Sequence, residues 1–282
     1  MRGMWLFIGL CLARLASGQP LAIGVVQSMQ HDSLFYQAGY RCLVLPVSQT
    51  VSPRISHEEF LTWKLTKEQL RMPVCALNLF LPGDLKVVGP DVDEQALLTY
   101  TDTVFARCRQ AGIARIVWGS GGSRFIPAGF DRQKARDQFV AVAKKISARA
   151  HRFGIELALE NLNRKETNFI NTLDEAISIA KDVNEPSFRL CADIYHMLME
   201  KESAEVIVRA APWVVHVDIA ENETRTPPGT HGQDFTPYLQ ALKKIGYQGP
   251  LVMECRWDQP GKQELAAYQF LSEAVHREWG KK

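Results

Sequence analysis

The chain has 282 residues, 46% of them hydrophobic, which suits one large domain with a full core. Its 33 Lys and Arg residues are matched by 31 Asp and Glu residues, for a formal net charge of +2. This balance argues against functions that need a strongly basic surface, so we expect neither nucleic acid nor an anionic membrane as a partner.

The first segment of the chain, residues 1–18, has the pattern of a signal peptide. A basic residue at position 2 precedes the apolar stretch 4–13 (MWLFIGLCLA), and residues 16–18 (ASG) place small side chains around a cleavage site. The stretch is far shorter than the ~20 residues that span a bilayer. An arginine before the cleavage site interrupts the pattern, and the alternative is a helix that caps the fold. We expect an exported protein, periplasmic or secreted, with residues 19–282 as its single domain and no membrane association after cleavage.

Eight apolar runs of strand length follow one another along the rest of the chain. In chain order they are residues 22–27, 42–47, 74–80, 113–118, 155–160, 188–193, 213–218 and 250–254. Strands that are apolar on both faces are typical of a parallel sheet covered by helices.

Longer amphipathic stretches separate these runs. The clearest predicted helices are residues 94–111 and 131–153, because Gly112 and Gly154 follow their ends as C-cap signals. Further helices are predicted at residues 32–39, 172–183, 204–211 and 235–245. Eight strand–helix units in one domain predict an α/β fold, a single (β/α)8 TIM barrel.

The alternative fold is an open, doubly wound sheet. No glycine-rich phosphate-binding fingerprint follows the first strand to support it. Residues 119–122 (GSGG) follow the fourth strand without the spacing of such a fingerprint, and we interpret them as a flexible active-site loop.

The cysteines are scattered and form no C-x-x-C pair, so neither a zinc ribbon nor a disulfide framework is indicated. Most lie in apolar runs and are expected to be buried thiols. An exported protein could form one disulfide bond, but the sequence does not identify the pair.

Four successive strands end in an acidic residue: Glu160, Asp193, Asp218 and Glu254, which are 33, 25 and 36 residues apart. In a parallel barrel the carboxyl ends of the strands converge on the active-site face. Converging carboxylates repel one another and are costly to bury unless a cation lies between them. We therefore predict a site for one divalent metal ion, against the alternative of solvated acids that never meet.

His216 lies two residues before Asp218 on the same strand, so the two side chains share a face. His216 is therefore expected to be either a metal ligand or a residue that orients one. Oxygen ligands suit Mn²⁺ or Mg²⁺, and an imidazole shifts the choice toward Mn²⁺, Co²⁺ or Zn²⁺, so Mn²⁺ is the expected ion.

Three more side chains are candidates for substrate contact at this face. His196 is expected on the loop that leaves the sixth strand, where the alternative is an exposed histidine without a role. Trp118 and Trp257 lie near the predicted mouth and are expected either to stack on a ring of the substrate or to pack in the core or at the rim.

The two glutamates suggest acid–base chemistry. Glu160 and Glu254 come from strands that are not neighbours in the barrel, so they can approach a small ligand from opposite sides. Two such carboxylates can remove and return a proton at one carbon. A metal ion that binds a carbonyl and an adjacent hydroxyl would acidify the C–H bond and stabilise an enediolate.

At these residues the chain resembles the sugar phosphate isomerase/epimerase family of xylose isomerase-like barrels, which includes ketose 3-epimerases, inosose-processing enzymes and endonuclease IV. The matching segments are residues 157–167 (LALENLNRKET), 191–200 (CADIYHMLME), 215–234 (VHVDIAENETRTPPGTHGQD) and 252–257 (VMECRW).

The resemblance implies a role for each matching residue. Glu160 and Glu254 match glutamates that bind the metal and act as the acid–base pair, and Asp193 matches an aspartate ligand. Three residues match substrate-binding positions of the family: Glu166, His196 and Arg225.

The chain departs from the family pattern at two positions. The family usually has His-x-His on the seventh strand with the second histidine as a metal ligand, and here Asp218 occupies that position after His216. The site is therefore expected to be more acidic, or else altered or weakened. Val44 replaces a glutamate that relatives often carry on the second strand, which would change the substrate pocket.

The leading functional hypothesis is a metal-dependent isomerase or epimerase that acts on a ketose or keto-sugar. A lyase or hydratase that acts on 3-keto-glycosides shares the first proton abstraction and is the second hypothesis. A non-catalytic carbohydrate-binding barrel is the third, since the change from histidine to Asp218 could have inactivated the site. DNA repair of the endonuclease IV type is disfavoured by the 7 histidines and the low net charge. An exported enzyme would act on an unphosphorylated sugar, and a homo-oligomer remains open.

Overall fold

A computed structural model describes residues 20–222 and 224–280. Its eight strands form a closed parallel barrel in sequential order, with β1 hydrogen-bonded to both β2 and β8. The strands are β1 Ile23–Val26, β2 Cys42–Pro46, β3 Val74–Asn78, β4 Arg115–Trp118, β5 Glu156–Glu160, β6 Phe188–Asp193, β7 Val214–Ile219 and β8 Leu251–Met253. The predicted TIM barrel is confirmed, whereas the signal peptide lies outside the described residues.

Helices surround the barrel and connect its strands. They are α1 Asp32–Ala38, α2 His57–Lys67, α3 Glu94–Ala111, α4 Gly121–Arg124, α5 Arg132–Phe153, α6 Leu173–Val183, α7 Ile194–Met199, α8 Glu205–Arg209, α9 Thr236–Lys244 and α10 Glu264–Trp279. Within the described residues, no helix combines the length and apolar composition needed to cross a bilayer.

Local signals set the ends of the longest helices. Asp93 and Asp131 accept hydrogen bonds from backbone N–H groups of the first turns of α3 and α5. Gly112 and Gly154 end these helices in the left-handed conformation, as their positions in the sequence predict.

The structure differs from the sequence-based expectation in several elements. Helices α2 and α10 were not predicted. The third strand ends at Asn78 rather than at residue 80, because Leu79 has a positive φ of 51° that breaks the extended chain. The GSGG segment is not simply a flexible loop, since Gly121 begins the short helix α4.

The apolar core has two parts, one between the strands and the helices and one inside the barrel. Large side chains on the outer faces of the strands pack against the helices, as Leu43, Ile116 and Leu190 do. A second cluster comprises Val44, Ala76, Val117, Ala158, Cys191 and Val252, which come from six strands. Because successive strand residues face opposite sides, the residues two positions beyond this second cluster, toward the carboxyl ends, point into the mouth.

Candidate active site

The four predicted acids meet at the mouth of the barrel. Glu160 and Asp193 are the last residues of β5 and β6, Asp218 is the fifth residue of β7, and Glu254 directly follows β8. One oxygen of each carboxylate lies within 4.8 Å of the others. Strand register contributes, because Asp193 and Asp218 are paired across β6 and β7. The alternative of acids that never meet is therefore wrong.

Burial and mutual repulsion make this cluster costly when it is fully ionised. The Glu160 side chain is 8% exposed and that of Asp193 is 1% exposed. Burial, followed by the charges of Glu254 and Asp193, raises the pKa of Glu160 well above its ordinary value. Burial, followed by the charges of Asp218 and Asp193, raises the pKa of Glu254 to about 7, although Arg225 opposes this shift.

Arg225 places a positive charge among the carboxylates. Its Nη2 lies 2.5 Å from Glu254 Oε2 and 3.4 Å from Asp193 Oδ2, and its Nη1 lies 3.5 Å from Glu166 Oε1. The guanidinium also lies over the Tyr195 ring, with its carbon 4.7 Å from the ring centroid. These carboxylates raise the pKa of Arg225 despite its burial, so it remains charged.

The loop after β7 carries Arg225 in a strained conformation, since its φ is 60°. Glu221 stabilises this loop from inside. Its carboxylate is buried and accepts a hydrogen bond from the Thr226 hydroxyl. It also accepts hydrogen bonds from backbone N–H groups of residues 229, 231, 232 and 233. The sequence analysis missed Glu221, although a glutamate followed by a glycine-rich loop was visible.

His216 and Cys191 lie below the mouth and contact Asp218 from inside the barrel. His216 Nε2 is 3.0 Å from Asp218 Oδ1, and Cys191 Sγ donates to Asp218 Oδ2 over 3.2 Å. Burial disfavours the charged forms of both His216 and Asp218, but the attraction between the two charges outweighs the effect of burial. This attraction raises the pKa of His216, and together with the hydrogen bonds to Asp218 it lowers the pKa of Asp218. His216 therefore lies outside the four-carboxylate cluster and against one of its members.

His196 is fully buried in helix α7, so the expectation of a position on a loop is wrong. Its Nδ1 accepts a hydrogen bond from the Asn163 backbone N–H over 3.1 Å. Its Nε2 lies 3.5 Å from Asp193 Oδ2 and 3.6 Å from Glu160 Oε1, and it has no hydrogen-bond partner among the described residues. Burial lowers the pKa of this imidazole. The free nitrogen therefore points at the mouth as a neutral group.

Three residues that the sequence analysis did not assign to the site hold the two glutamates. Asn78 Nδ2 donates to Glu254 Oε1 over 3.1 Å. The fully buried Arg124 donates from Nη2 to the backbone oxygen of Glu160 over 2.7 Å. Gly119 leaves the space that the Glu160 carboxylate occupies, since a Cβ at this glycine would lie 2.2 Å from Glu160 Oε2.

A cavity of about 390 Å³ lies beside the mouth, near the carboxyl ends of β1, β2 and β8. Val44 and Trp257 line it together with Gln27 and Gln49. Trp257 also packs edge-on against Phe35. Trp118, by contrast, is fully buried in the outer core and is therefore unavailable to a substrate.

The fold and the site together define a TIM barrel whose mouth is built from buried acids. The family model for xylose isomerase-like TIM barrels matches residues 34–274, and the chain belongs to this family.

Three relatives have names that describe epimerases. A ketose 3-epimerase from Arthrobacter globiformis is 36% identical over 115 residues, 40% of this chain and 39% of the relative. An L-ribulose 3-epimerase from Methylomonas sp. is 36% identical over 198 residues, 69% of this chain and 68% of the relative. A 3-dehydro-D-guloside 4-epimerase from Escherichia coli is 32% identical over 127 residues, 45% of this chain and 47% of the relative.

The fold is also that of solved relatives. The apo crystal structure of a 3-keto-D-glucoside 4-epimerase from E. coli superimposes with a TM-score of 0.74 at 20% sequence identity, covering 90% of this chain and 99% of the other.

The residues present fit a divalent metal ion. Four carboxylates supply oxygen ligands within 4.8 Å of one another. Burial and the neighbouring carboxylates raise the pKa values of Glu160 and Glu254, and a bound cation would favour their charged forms. Asp218 would contribute an oxygen ligand where the resemblance leads us to expect an imidazole, so the donor set would be harder than that of the family pattern.

Proposed function

We propose that the chain is a metal-dependent epimerase that removes and returns a proton beside the carbonyl of a ketose or keto-sugar. The observation that carries the proposal is the convergence of Glu160 and Glu254 from two non-adjacent strands on one acidic cluster. The epimerase names of the relatives support it.

Glu160, Asp193, Asp218 and Glu254 would hold the ion, with His216 as the residue that orients Asp218. A divalent ion would polarise the sugar carbonyl and its neighbouring hydroxyl and make the intervening C–H bond more acidic. Oxygen ligands favour Mn²⁺ or Mg²⁺ over metals that prefer sulfur, and we propose Mn²⁺.

The two glutamates would exchange the proton. A group whose pKa lies near neutrality is both a usable base and a usable acid, and that of Glu254 is about 7 before a metal binds. In epimerisation one carboxylate takes the proton from one face of the carbon, which leaves an enediolate, and the other returns a proton to the opposite face.

Three side chains would position the sugar. The free Nε2 of His196 faces the cluster, Arg225 donates from above it, and Glu166 lies 3.5 Å from Arg225 at the rim. Because Nδ1 of the neutral His196 is an acceptor, Nε2 carries the hydrogen and can donate to a sugar oxygen, as Arg225 can. A sugar hydroxyl can donate to the Glu166 carboxylate.

An acidic mouth disfavours a phosphorylated sugar. Four carboxylates face the substrate, and the guanidinium of Arg225 is already bound to two of them. A phosphate dianion would be repelled there. An unphosphorylated sugar is therefore the proposed substrate, which agrees with the export that we propose from residues 1–18.

A lyase that acts on 3-keto-glycosides is the second candidate. The cavity of about 390 Å³ beside the mouth offers room for the aglycone or second ring of a glycoside. One relative is a 3-dehydro-D-guloside 4-epimerase. Loss of a leaving group after proton abstraction would convert epimerisation into elimination at the same site.

The test uses the full chain, stripped with a chelator and reloaded separately with Mn²⁺, Mg²⁺, Co²⁺ or Zn²⁺. Products from a panel of ketoses and 3-keto-glycosides are identified by NMR. We expect one bound ion per chain and metal-dependent epimerisation, which both Glu160→Gln and Glu254→Gln lower by at least about 10³-fold.

Glu156→Gln is the matched control, because Glu156 lies on the same strand as Glu160 and pairs with Arg115 away from the mouth. It should retain turnover. Full turnover in Glu160→Gln or Glu254→Gln would refute the two-carboxylate mechanism. A protein that binds sugar without turning over any member of the panel would indicate a carbohydrate-binding barrel instead.

A further inference from the structure

Two thiols lie side by side away from the site described above. Cys42 is the first residue of β2 and Cys75 is the second residue of β3, and these strands are neighbours in the barrel. Their Sγ atoms are 2.7 Å apart. Both residues lie near the amino-terminal ends of their strands, whereas the carboxylates lie at the opposite ends.

An irregularity in strand pairing brings the two sulfurs together. Leu43 pairs with Val74 but Val44 pairs with Ala76, so Cys75 is an extra residue in β3. Such a bulge changes the direction of the side chain it carries. The Cys42 sulfur occupies space that is free because residue 24 is glycine, since a Cβ at Gly24 would lie 2.6 Å from Cys42 Sγ.

We propose that Cys42 and Cys75 form a disulfide bond when the chain meets a disulfide oxidant. Two sulfurs 2.7 Å apart are closer than non-bonded contact, and a small movement brings them to the bond length of about 2.05 Å.

The other described cysteines have different surroundings. Cys191 Sγ contacts Asp218, Cys255 Sγ lies 3.6 Å from the backbone oxygen of Ile219, and Cys108 is buried in α3. Each lies on a different element from the pair, so the geometry selects one pairing among the five cysteines described.

The reaction is thiol–disulfide exchange with a small-molecule disulfide. Cys75 is partly exposed and Cys42 is buried, so the Cys75 thiolate attacks first and one thiol leaves. The Cys42 thiolate then attacks the Cys75 sulfur and releases the second thiol. Two protein thiols become one disulfide, the oxidant is reduced to two thiols, and the two protons pass to the leaving groups.

The bond would join β2 to β3 across 33 residues of chain. A loop of this length loses conformational entropy in the unfolded chain when it is closed. We expect the melting temperature to rise by roughly 5 to 10 °C on oxidation.

The test treats the full, folded chain with oxidised glutathione, blocks remaining thiols with an alkylating agent in denaturant and maps peptides by mass spectrometry. We expect a Cys42–Cys75 cross-linked peptide that disappears after reduction, with Cys108, Cys191 and Cys255 alkylated. Alkylation of both Cys42 and Cys75, a stable glutathione adduct on Cys75, or linkage of either to another cysteine would overturn the proposal.

Variants test the same pairing through stability. Cys42→Ser and Cys75→Ser should each abolish the difference in melting temperature between oxidised and reduced protein. Cys255→Ser is the control and should retain that difference. A redox-dependent shift that persists in Cys42→Ser, or that is lost in Cys255→Ser, would also contradict the assignment.

Discussion

Gly119→Ala is expected to damage the proposed site while leaving the barrel folded. The added Cβ would lie 2.2 Å from Glu160 Oε2 and 3.2 Å from the carboxylate carbon. The φ of Gly119 is not in the left-handed region, so alanine fits the backbone there. The whole effect of the substitution therefore falls on the Glu160 carboxylate.

The distance that the Glu160 carboxylate must move determines the expected losses of stability and of rate. An ordinary contact with a Cβ lies beyond about 3.4 Å, so the carboxylate oxygen must move by about 1 Å. The end of a glutamate side chain moves at small cost, and we expect a loss of stability of no more than about 1–3 kcal/mol. A 1 Å displacement of a catalytic group, by contrast, costs about 10²-fold in rate.

Three measurements on the variant test this reasoning: kcat/KM of the metal-loaded protein, Mn²⁺ affinity by calorimetry, and thermal unfolding. We expect kcat/KM to fall about 10²-fold, Mn²⁺ affinity to weaken, and the fold to persist. Gly83→Ala is the matched control, because a Cβ there would lie 3.9 Å from its nearest neighbour, in the loop that faces Gly122. A folded Gly119→Ala variant with unchanged metal affinity and turnover would refute the placement of Glu160.

The remaining predictions concern the seventh strand and pH. Asp218→Ala should weaken Mn²⁺ binding by about 10²-fold, and Asp218→His should retain it. His216→Ala should weaken Mn²⁺ binding by only about 10-fold, because His216 contacts Asp218. If calorimetry shows a larger loss for His216→Ala than for Asp218→Ala, His216 is the ligand. Asn78→Ala should lower kcat/KM about 10-fold without unfolding the protein, because only the hydrogen bond to Glu254 is lost. An unchanged pH–rate profile in this variant would show that Asn78 does not orient the Glu254 carboxylate. The pKa of Glu254 is raised to about 7 in the metal-free folded protein. As pH falls from 8 to 6, Glu254 therefore takes up a proton in the folded protein, whereas in the unfolded chain it stays ionised. Glu254 should therefore contribute about 1.4 kcal/mol of added stability over this window, and thermal melts of Glu254→Gln should show a smaller rise than those of the unchanged chain.

The fold could be predicted because its strands are apolar on both faces and alternate with helices that carry clear caps. Helix α2 was missed although Ser56 and Glu59 form a capping box at its start, which is a local sequence signal. Its apolar face is narrow, with only Phe60 and Trp63 buried, so hydrophobic periodicity alone did not reveal it.

The acids of the site could be predicted because strand ends in a parallel barrel have a known direction. The residues that contact these acids could not be predicted, because these contacts join positions that are distant in the sequence. Asn78 lies 176 positions from Glu254 in the sequence, and Arg124 lies 36 positions from Glu160. His196 was placed on a loop because the sequence did not reveal that Asp193 caps a short helix, α7, directly after β6.

The most direct test of the proposed chemistry is solvent-deuterium incorporation. The full chain, loaded with Mn²⁺ and incubated in D2O with the sugar that it turns over, should transfer deuterium to the carbon beside the carbonyl, and this signal should be absent in Glu160→Gln and Glu254→Gln. Turnover without deuterium in the product, or exchange that persists in both variants, would contradict proton transfer by these two carboxylates.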